Sequence, residues 1–327
     1  MGRAPEIAIL IPCRDEVFTV AQVVEGFRAA LPEATIYVYD NNSQDGTASA
    51  AQRAGAVVRR AALPGKGNVV RRMFSDVDAD IYLLVDGDGT YDAAVAPMLV
   101  RKLLDDGLDM VSAARESIEA EAYRAGHRLG NRLLTGLVRR IFGRQFKDML
   151  TGYRVFSRRF VKSFPATSEG FEIETEITVH ALQMRLPADE VDTAYGARPE
   201  GSQSKLNTIS DGLRILRMIG LLVREERPLQ FFGGAALAAF ALAAALGVPV
   251  LLDFARLHAV PRFPSLIVAV GSAMVGIVSL ACGVILDTVS RARLEQRRLA
   301  YLSIGGLAHL SLAHDPRLHS AMDAKVG

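Results

Sequence analysis

With 327 residues the chain has room for one large domain or two modest ones, and its hydrophobic fraction of 50% sits at the upper end of the globular range. The formal net charge is only +2, and no nucleic-acid partner is expected. The two cysteines, Cys13 and Cys282, offer no metal-binding spacing, suit a reducing compartment and read as packing residues.

From the N-terminus, short apolar runs alternate with helical stretches. Strands are predicted at Ile7–Ile11, Ile36–Asp40, Ile81–Val85 and Met110–Ser112, and helices at Val17–Ala30, Thr47–Ala54 and Asp92–Asp106. This alternation predicts an α/β fold with a mainly parallel central sheet. Ile7–Ile11 is no secretory signal, being short and closed by Pro12 and the charged Arg14, Asp15 and Glu16. Past Ala120 the pattern predicts a long basic helix to Arg140, a strand around Tyr153–Phe156 and a helix over Phe171–Met184. In Asn207–Leu222, Ile209, Leu213, Leu216, Met218 and Ile219 fall near helical spacing with Arg214 and Arg217 between them. That segment reads either as an amphipathic helix at a membrane surface or as an ordinary surface helix.

Phe231–Leu252 and Phe263–Leu286 carry no charged residue. As helices they would extend about 33 to 36 Å, enough to cross a hydrocarbon core of about 30 Å. Arg214, Arg217, Arg224 and Arg227 precede the first run, and Arg291, Arg293, Arg297 and Arg298 follow the second. The connection holds only Arg256 and Arg262, so both ends should face the cytoplasm. The expected division is a globular domain over 1–206, a juxtamembrane helix over 207–228, a two-helix transmembrane hairpin over 229–288 with spans near 231–252 and 264–286, and a basic cytoplasmic tail over 289–327, polar and loosely ordered from Ala313.

The strand ends carry the polar residues that matter, since ligands of open α/β sheets bind at the carboxyl ends of the strands. Asp86 and Asp88 follow Ile81–Val85, with Gly87 and Gly89 permitting a tight turn, so two carboxylates can share one hard cation such as Mg²⁺ or Mn²⁺. Such a cation would bridge a diphosphate leaving group. Asp40, Asn41 and Asn42 offer donors and acceptors suited to a base and a ribose. Ser43–Thr47 reads as a turn and helix cap. Gly65-Lys66-Gly67-Asn68 lacks the spacing of a nucleotide-triphosphate loop, which leaves Lys66 either near a nucleotide or in a solvated loop.

These segments resemble a known family. Ile11-Pro-Cys-Arg-Asp-Glu16, Tyr39-Asp-Asn-Asn-Ser-Gln-Asp-Gly-Thr47, Gly65-Lys-Gly67 and Asp86-Gly-Asp88 are similar, in order and spacing, to family-two glycosyltransferases of the GT-A fold. Phe146-Lys-Asp-Met-Leu-Thr-Gly-Tyr-Arg154, Gly170-Phe-Glu-Ile-Glu174 and Arg198-Pro-Glu-Gly-Ser-Gln-Ser-Lys205 resemble the later motifs of its dolichyl-phosphate mannose synthase-like branch. The resemblance covers residues 5 to 226. It implies transfer of a hexose from a UDP- or GDP-sugar to a polyprenyl phosphate, with inversion, by a multi-pass enzyme of the cytoplasmic membrane. Its partners would be the donor, the lipid acceptor and the bilayer, with the oligomeric state open.

By the same resemblance, Pro12, Arg14, Glu16, Asp40, Asn41, Lys66 and Gly87 would bind the nucleotide-sugar, Asp86 and Asp88 would hold the metal, and Arg198 and Lys205 would close over the diphosphate. Arg115, Arg128 and Arg132 would meet the acceptor phosphate, although a basic run also reads as a solvated or membrane-facing surface. Asp148 and Glu172 would line the sugar and acceptor side, leaving Glu174 and Glu176 as helix surface. The chain departs from the pattern at Asn41, at Thr90 and by one extra residue in the last basic loop. His127, His180 and His258 receive no role. The alternatives are transfer to another lipid or to a polysaccharide, and a degenerate membrane scaffold; the Gln-x-x-Arg-Trp motif of processive synthases is absent, as the chain has no tryptophan.

Overall fold

The structure, a computed structural model, describes residues 3–117, 146–196 and 228–307. The expected basic helix to Arg140, the segment 207–222 and the end of the tail lie outside them. Strand β1 (Ile7–Cys13) is an almost fully buried apolar run, as a strand covered on both faces must be. It pairs in parallel with β2 (Thr35–Asp40) and with β4 (Ile81–Leu84), and β2 pairs in parallel with β3 (Val57–Arg60). On the other side of β4 lies β6 (Arg154–Ser157), antiparallel to both its neighbours, then β5 (Met110–Ser117) and, parallel to it, β7 (Ala188–Tyr195). The order is β3-β2-β1-β4-β6-β5-β7, a seven-stranded and mainly parallel sheet.

Helices α1 (Val20–Ala30), α2 (Thr47–Arg53), α3 (Lys66–Asp76), α4 (Ala96–Asp105), α5 (Arg158–Ser163) and α6 (Ile173–Met184) accompany the sheet. Asp92 caps a 3-10 turn at Ala93–Val95 ahead of α4, accepting from the Ala94 amide. Val24, Phe27, Leu99 and Leu103 from α1 and α4 join Ile9, Ile11, Val38, Leu83 and Val155 in one core. The rings of Phe74, Tyr82, Phe156, Phe160 and Phe164 form an aromatic cluster. His180 sits edge-on to Phe160 and Phe164, and burial, with Arg297 nearby, pushes its pKa down to about 3, so the imidazole is neutral.

Residues 297–307 belong to this same unit. The Tyr301 hydroxyl donates to Asp109 Oδ2 at 2.7 Å, Ser157 Oγ to Oδ1 at 2.6 Å and Arg159 Nε to Oδ1 at 2.5 Å, so the fully buried Asp109 carboxylate is neutralised and hydrogen-bonded. The Arg159 guanidinium also lies over the Tyr301 ring.

The second unit is Leu216–Gln296, and its described residues, 228–296, hold α7 (Pro228–Leu257) and most of α8 (Phe263–Leu302). Both helices outrun the charge-free segments. Both are long and apolar enough to cross a membrane. The buried positions of α8 are Ala269, Gly276 and Gly283, at intervals of seven. Phe240 lies against Gly276, and Phe232 and Leu229 against Gly283, close packing that small residues permit. At the turn between the helices Arg262 pairs with Asp253 at 3.1 Å.

Candidate active site

Strand order reverses at the β1–β4 pair, with β2 and β3 on one side and the rest of the sheet on the other, so the chain leaves the carboxyl ends of β1 and β4 in divergent directions. The resulting cleft holds about 450 Å³. Pro12 to Glu16 from the end of β1, Asn41 beyond β2, Gly65, Lys66 and Val69 at the start of α3, Asp86 to Asp88 beyond β4, and Phe171 ahead of α6 line it.

The loops after β1 and β2 are laced together. Asp15 and Asn42 take left-handed backbone angles, with φ of 49° and 61°. Ser43 Oγ accepts from the Asp15 amide, Thr47 Oγ1 from the Glu16 amide and Asp45 Oδ2 from the Val17 amide. Asp45 Oδ1 also accepts from the Thr47 amide at the start of α2, so Ser43–Thr47 is a turn and cap that also braces the β1 loop. Asn41 lines the cleft, yet its side chain donates to the carbonyls of Ala61 and Leu63 and accepts from the Gly65 amide, which commits it to shaping the 61–65 loop. Asp40 is buried; its Oδ2 accepts from the Ser43 amide, and among the described residues its Oδ1 has no hydrogen-bond partner, leaving an acceptor suited to a ligand hydroxyl.

Beyond β4, Gly89 has φ of 73° and completes the turn that presents the two acids. Asp88 is 4% exposed, and its Oδ1 accepts from both the amide and the hydroxyl of Thr90, at 3.2 and 2.6 Å. Gly87 accepts the Thr19 hydroxyl on its carbonyl. Asp86 Oδ1 lies 2.5 Å from Lys66 Nζ, which lies 2.5 Å from Glu174 Oε1. Burial works against the Lys66 charge, but Asp86 and Glu174 outweigh it and raise its pKa, so the lysine is protonated. Burial pushes the Glu174 carboxyl up, and the Asp86 charge adds to this against the pull of Lys66.

Glu174 and Glu176 were expected on a helix surface; both are buried. Glu176 accepts the Thr167 and Ser168 amides and so holds the segment leading into α6. The signal that could have revealed them is that the polar residues of Ile173–Met184 are not gathered on one face but spread around the helix among the apolar ones, so no solvent-facing stripe is marked out. Glu172 sits half-buried just before α6, and the cleft wall there is Phe171.

Among the described residues no group of three or more His, Cys, Asp and Glu side chains is arranged to hold a metal. The donors nevertheless fit Mg²⁺ or Mn²⁺, which bind through one or two carboxylates together with substrate phosphates. The protein already places a cation, the Lys66 ammonium, against Asp86.

Glycosyl transferase family 2 matches this chain over residues 8–164. Glycosyltransferase AglJ of Haloferax volcanii is 32% identical over 294 residues, 89% of this chain and 96% of that protein. The chain belongs to glycosyl transferase family 2. A dolichyl-phosphate hexose transferase of the same organism is 27% identical over 187 residues, covering 57% of this chain and 80% of its own. The structure of Mycobacterium tuberculosis glucosyl-3-phosphoglycerate synthase in complex with Mn²⁺, UDP-glucose and phosphoglyceric acid is similar with a TM-score of 0.57 at 21% identity, over 67% of this chain and 79% of that one. That likeness shows a common GT-A type of fold.

In this family 2 glycosyltransferase a second polar cluster stands at the end of β5. Arg115 donates through Nε and Nη2 to both oxygens of Asp148, at 2.6 and 2.9 Å, and its guanidinium lies over the Tyr195 ring. Arg154, 1% exposed, donates to the carbonyls of Thr151 and Met149 and shapes the loop that carries Asp148. Tyr91 stands between the clusters; its hydroxyl accepts the Gly152 amide at 2.9 Å, and burial raises its pKa while Arg115 and Asp86 act on it in opposite directions. Arg154, Gly152 and Tyr91 were given no role in the sequence. Arg128, Arg132, Arg198 and Lys205 lie outside the described residues.

Burial would raise the Asp148 carboxyl, yet Arg115 and backbone amides override it and hold the pKa low. A carboxyl lowered on folding adds stability that is complete above the unfolded value of about 4 and is lost on acidification through the folded value. Asp148→Asn is therefore expected to destabilise by about 3 kcal/mol. In chemical unfolding the difference from wild type should be flat from about pH 5 to 8 and shrink below about pH 4. A difference that grows on acidification contradicts the ion pair.

Proposed function

We propose that this glycosyltransferase moves a hexose, with inversion, from a UDP- or GDP-sugar to a polyprenyl phosphate at the cytoplasmic face of the inner membrane. One observation carries the reading. A cleft floored by paired carboxylates at the switch point of a GT-A sheet occurs in one chain with two helices apolar enough to cross a bilayer, which suits a charged donor and an acceptor that resides in lipid. Similarity to a protein named as a dolichyl-phosphate hexose transferase supports the acceptor class, and similarity to a synthase solved with Mn²⁺ and UDP-glucose supports the donor class.

Residues 1–206 serve as the catalytic domain and 229–288 as the anchor. Pro12, Arg14, Glu16 and Asp40 bind the nucleotide, Asn41 shapes the loop beneath it, and Arg198 and Lys205 close over the diphosphate. Asp86 and Asp88 would hold Mg²⁺ or Mn²⁺, which when bound supplies charge neutralisation to the departing diphosphate. An acceptor phosphate oxygen attacks the anomeric carbon as the bond to the donor diphosphate breaks, giving a lipid-linked glycosyl phosphate and a nucleoside diphosphate. A phosphate monoester has a second pKa of about 6 and is largely dianionic near neutrality, so no side chain has to remove a proton. The protein must instead bring two anions together. Arg115, Arg128 and Arg132 lower that repulsion, Asp148 fixes the Arg115 fork, and Glu172 flanks the sugar.

Full-length protein with Mg²⁺ or Mn²⁺, a short polyprenyl phosphate and a panel of UDP- and GDP-sugars is expected to give one preferred donor and a lipid product of inverted anomeric configuration. Absence of transfer from every donor would overturn this function.

A further inference from the structure

Lys66, Asp86 and Glu174 reach one point from three separate elements: the start of α3, the turn beyond β4 and the first turn of α6. The lysine is 9% and the glutamate 8% exposed in their side chains, and the Phe171 ring stands 5.9 Å from the ammonium. A single positive charge thus serves two carboxylates. Its aim is built in. Gly65 and Gly67 press against the backbone carbonyls of Glu169 and Ser168 so closely that a Cβ on either would collide, and the Asn68 amide donates to the Glu169 carbonyl at 3.3 Å. The start of α3, with Lys66, is therefore packed on the segment that leads into α6 and Glu174.

A cation held at one oxygen of Asp86 competes with any other cation for that oxygen. Without it, the half-buried Asp86 and the buried Glu174 would face each other as like charges, an arrangement that favours capture of a stray divalent ion. We propose that Lys66 is a displaceable internal cation. In the donor-free protein it occupies Asp86, and Glu174 is the positioning residue that holds it there and keeps it when a divalent cation takes its place at Asp86. The inference rests on the proposed function only in assigning a divalent cation to Asp86. Metal binding would then be weak until a donor diphosphate supplies further ligands, coupling the two.

The test uses full-length protein, Mn²⁺ alone as the probe and no nucleotide, with free Mn²⁺ followed by electron paramagnetic resonance. Lys66→Met is expected to bind Mn²⁺ about tenfold more tightly than wild type, because the competitor is gone. Glu174→Gln is expected to bind about tenfold more weakly, because Lys66 is left wholly to Asp86 and one negative charge is lost. The double variant Lys66→Met with Glu174→Gln leaves no charge of this pair unpartnered, which guards against a folding failure of the single lysine variant, and it should bind more tightly than Glu174→Gln. A purely structural lysine would weaken Mn²⁺ binding in both single variants or leave it unchanged, and either result overturns the proposal. So does a double variant equal to Glu174→Gln, or no Mn²⁺ binding by any of the proteins. Sugar transfer by the same wild-type preparation separates the two readings. Transfer without the gain in Lys66→Met removes the internal cation and spares the function, while the gain without transfer from any donor does the reverse.

Discussion

Asp88→Ala is expected to lose most turnover, on the order of 10³-fold in kcat/KM, with Mg²⁺ or Mn²⁺ saturating. The carboxylate is 4% exposed at the turn beyond β4, and Thr90 clamps one of its oxygens through amide and hydroxyl. It therefore sits in one orientation, beside an Asp86 whose oxygen faces a cation. Removing it deletes half of the pair proposed to hold the divalent cation, at the point where leaving-group charge develops. Asp88→Asn separates chemistry from folding, since an amide oxygen still accepts from Thr90 while the charge is gone. It should melt like wild type and lose turnover nearly as far. Near-normal activity of either variant in a metal-replete assay sinks the metal assignment.

Gly152→Ala should cost about 100-fold in kcat/KM through geometry alone, since displacing a reacting group by about 1 Å has effects of that size. A Cβ at position 152 would run into the Asp86 carboxylate. The glycine amide is also tied to the Tyr91 hydroxyl, which limits how far the backbone can retreat. Either Asp86 is pushed from its place or the loop holding Asp148 is strained, at about 1 to 3 kcal/mol of overpacking. The checks are kcat/KM and thermal unfolding measured together. Full activity with an unchanged melt would mean that the contact between the turn beyond β4 and the loop before β6 does not set the catalytic geometry.

Much of the fold was legible because burial on both faces leaves its mark directly in a sequence. β1 and β4 are continuous apolar runs, and α1 carries an apolar stripe of Val20, Val23, Val24 and Phe27. β7, Ala188–Tyr195, was not legible; three acids interrupt it, and its strand state comes from pairing along the whole length of β5. α3 was missed because it begins inside Gly65-Lys66-Gly67, where the local signal is a turn, and the helix is held by docking on the 168–169 carbonyls. α8 outran its expected end near 286 because a charge-free window marks where lipid would begin and end, whereas the helix continues to Leu302, with Tyr301 anchored on Asp109.

The sequence by itself determined the α/β class, the acids at the strand ends, the family and the two apolar spans, because each is written in contiguous runs or in short motifs read in chain order. Only the tertiary structure decided that Glu174, 108 residues from Lys66, completes a charged triad with it and Asp86, that Asp148 grips Arg115, and that Gly152 makes room for a carboxylate. Those pairings join residues far apart in the chain, and it is the crossing of the sheet that brings their charges within a few ångströms.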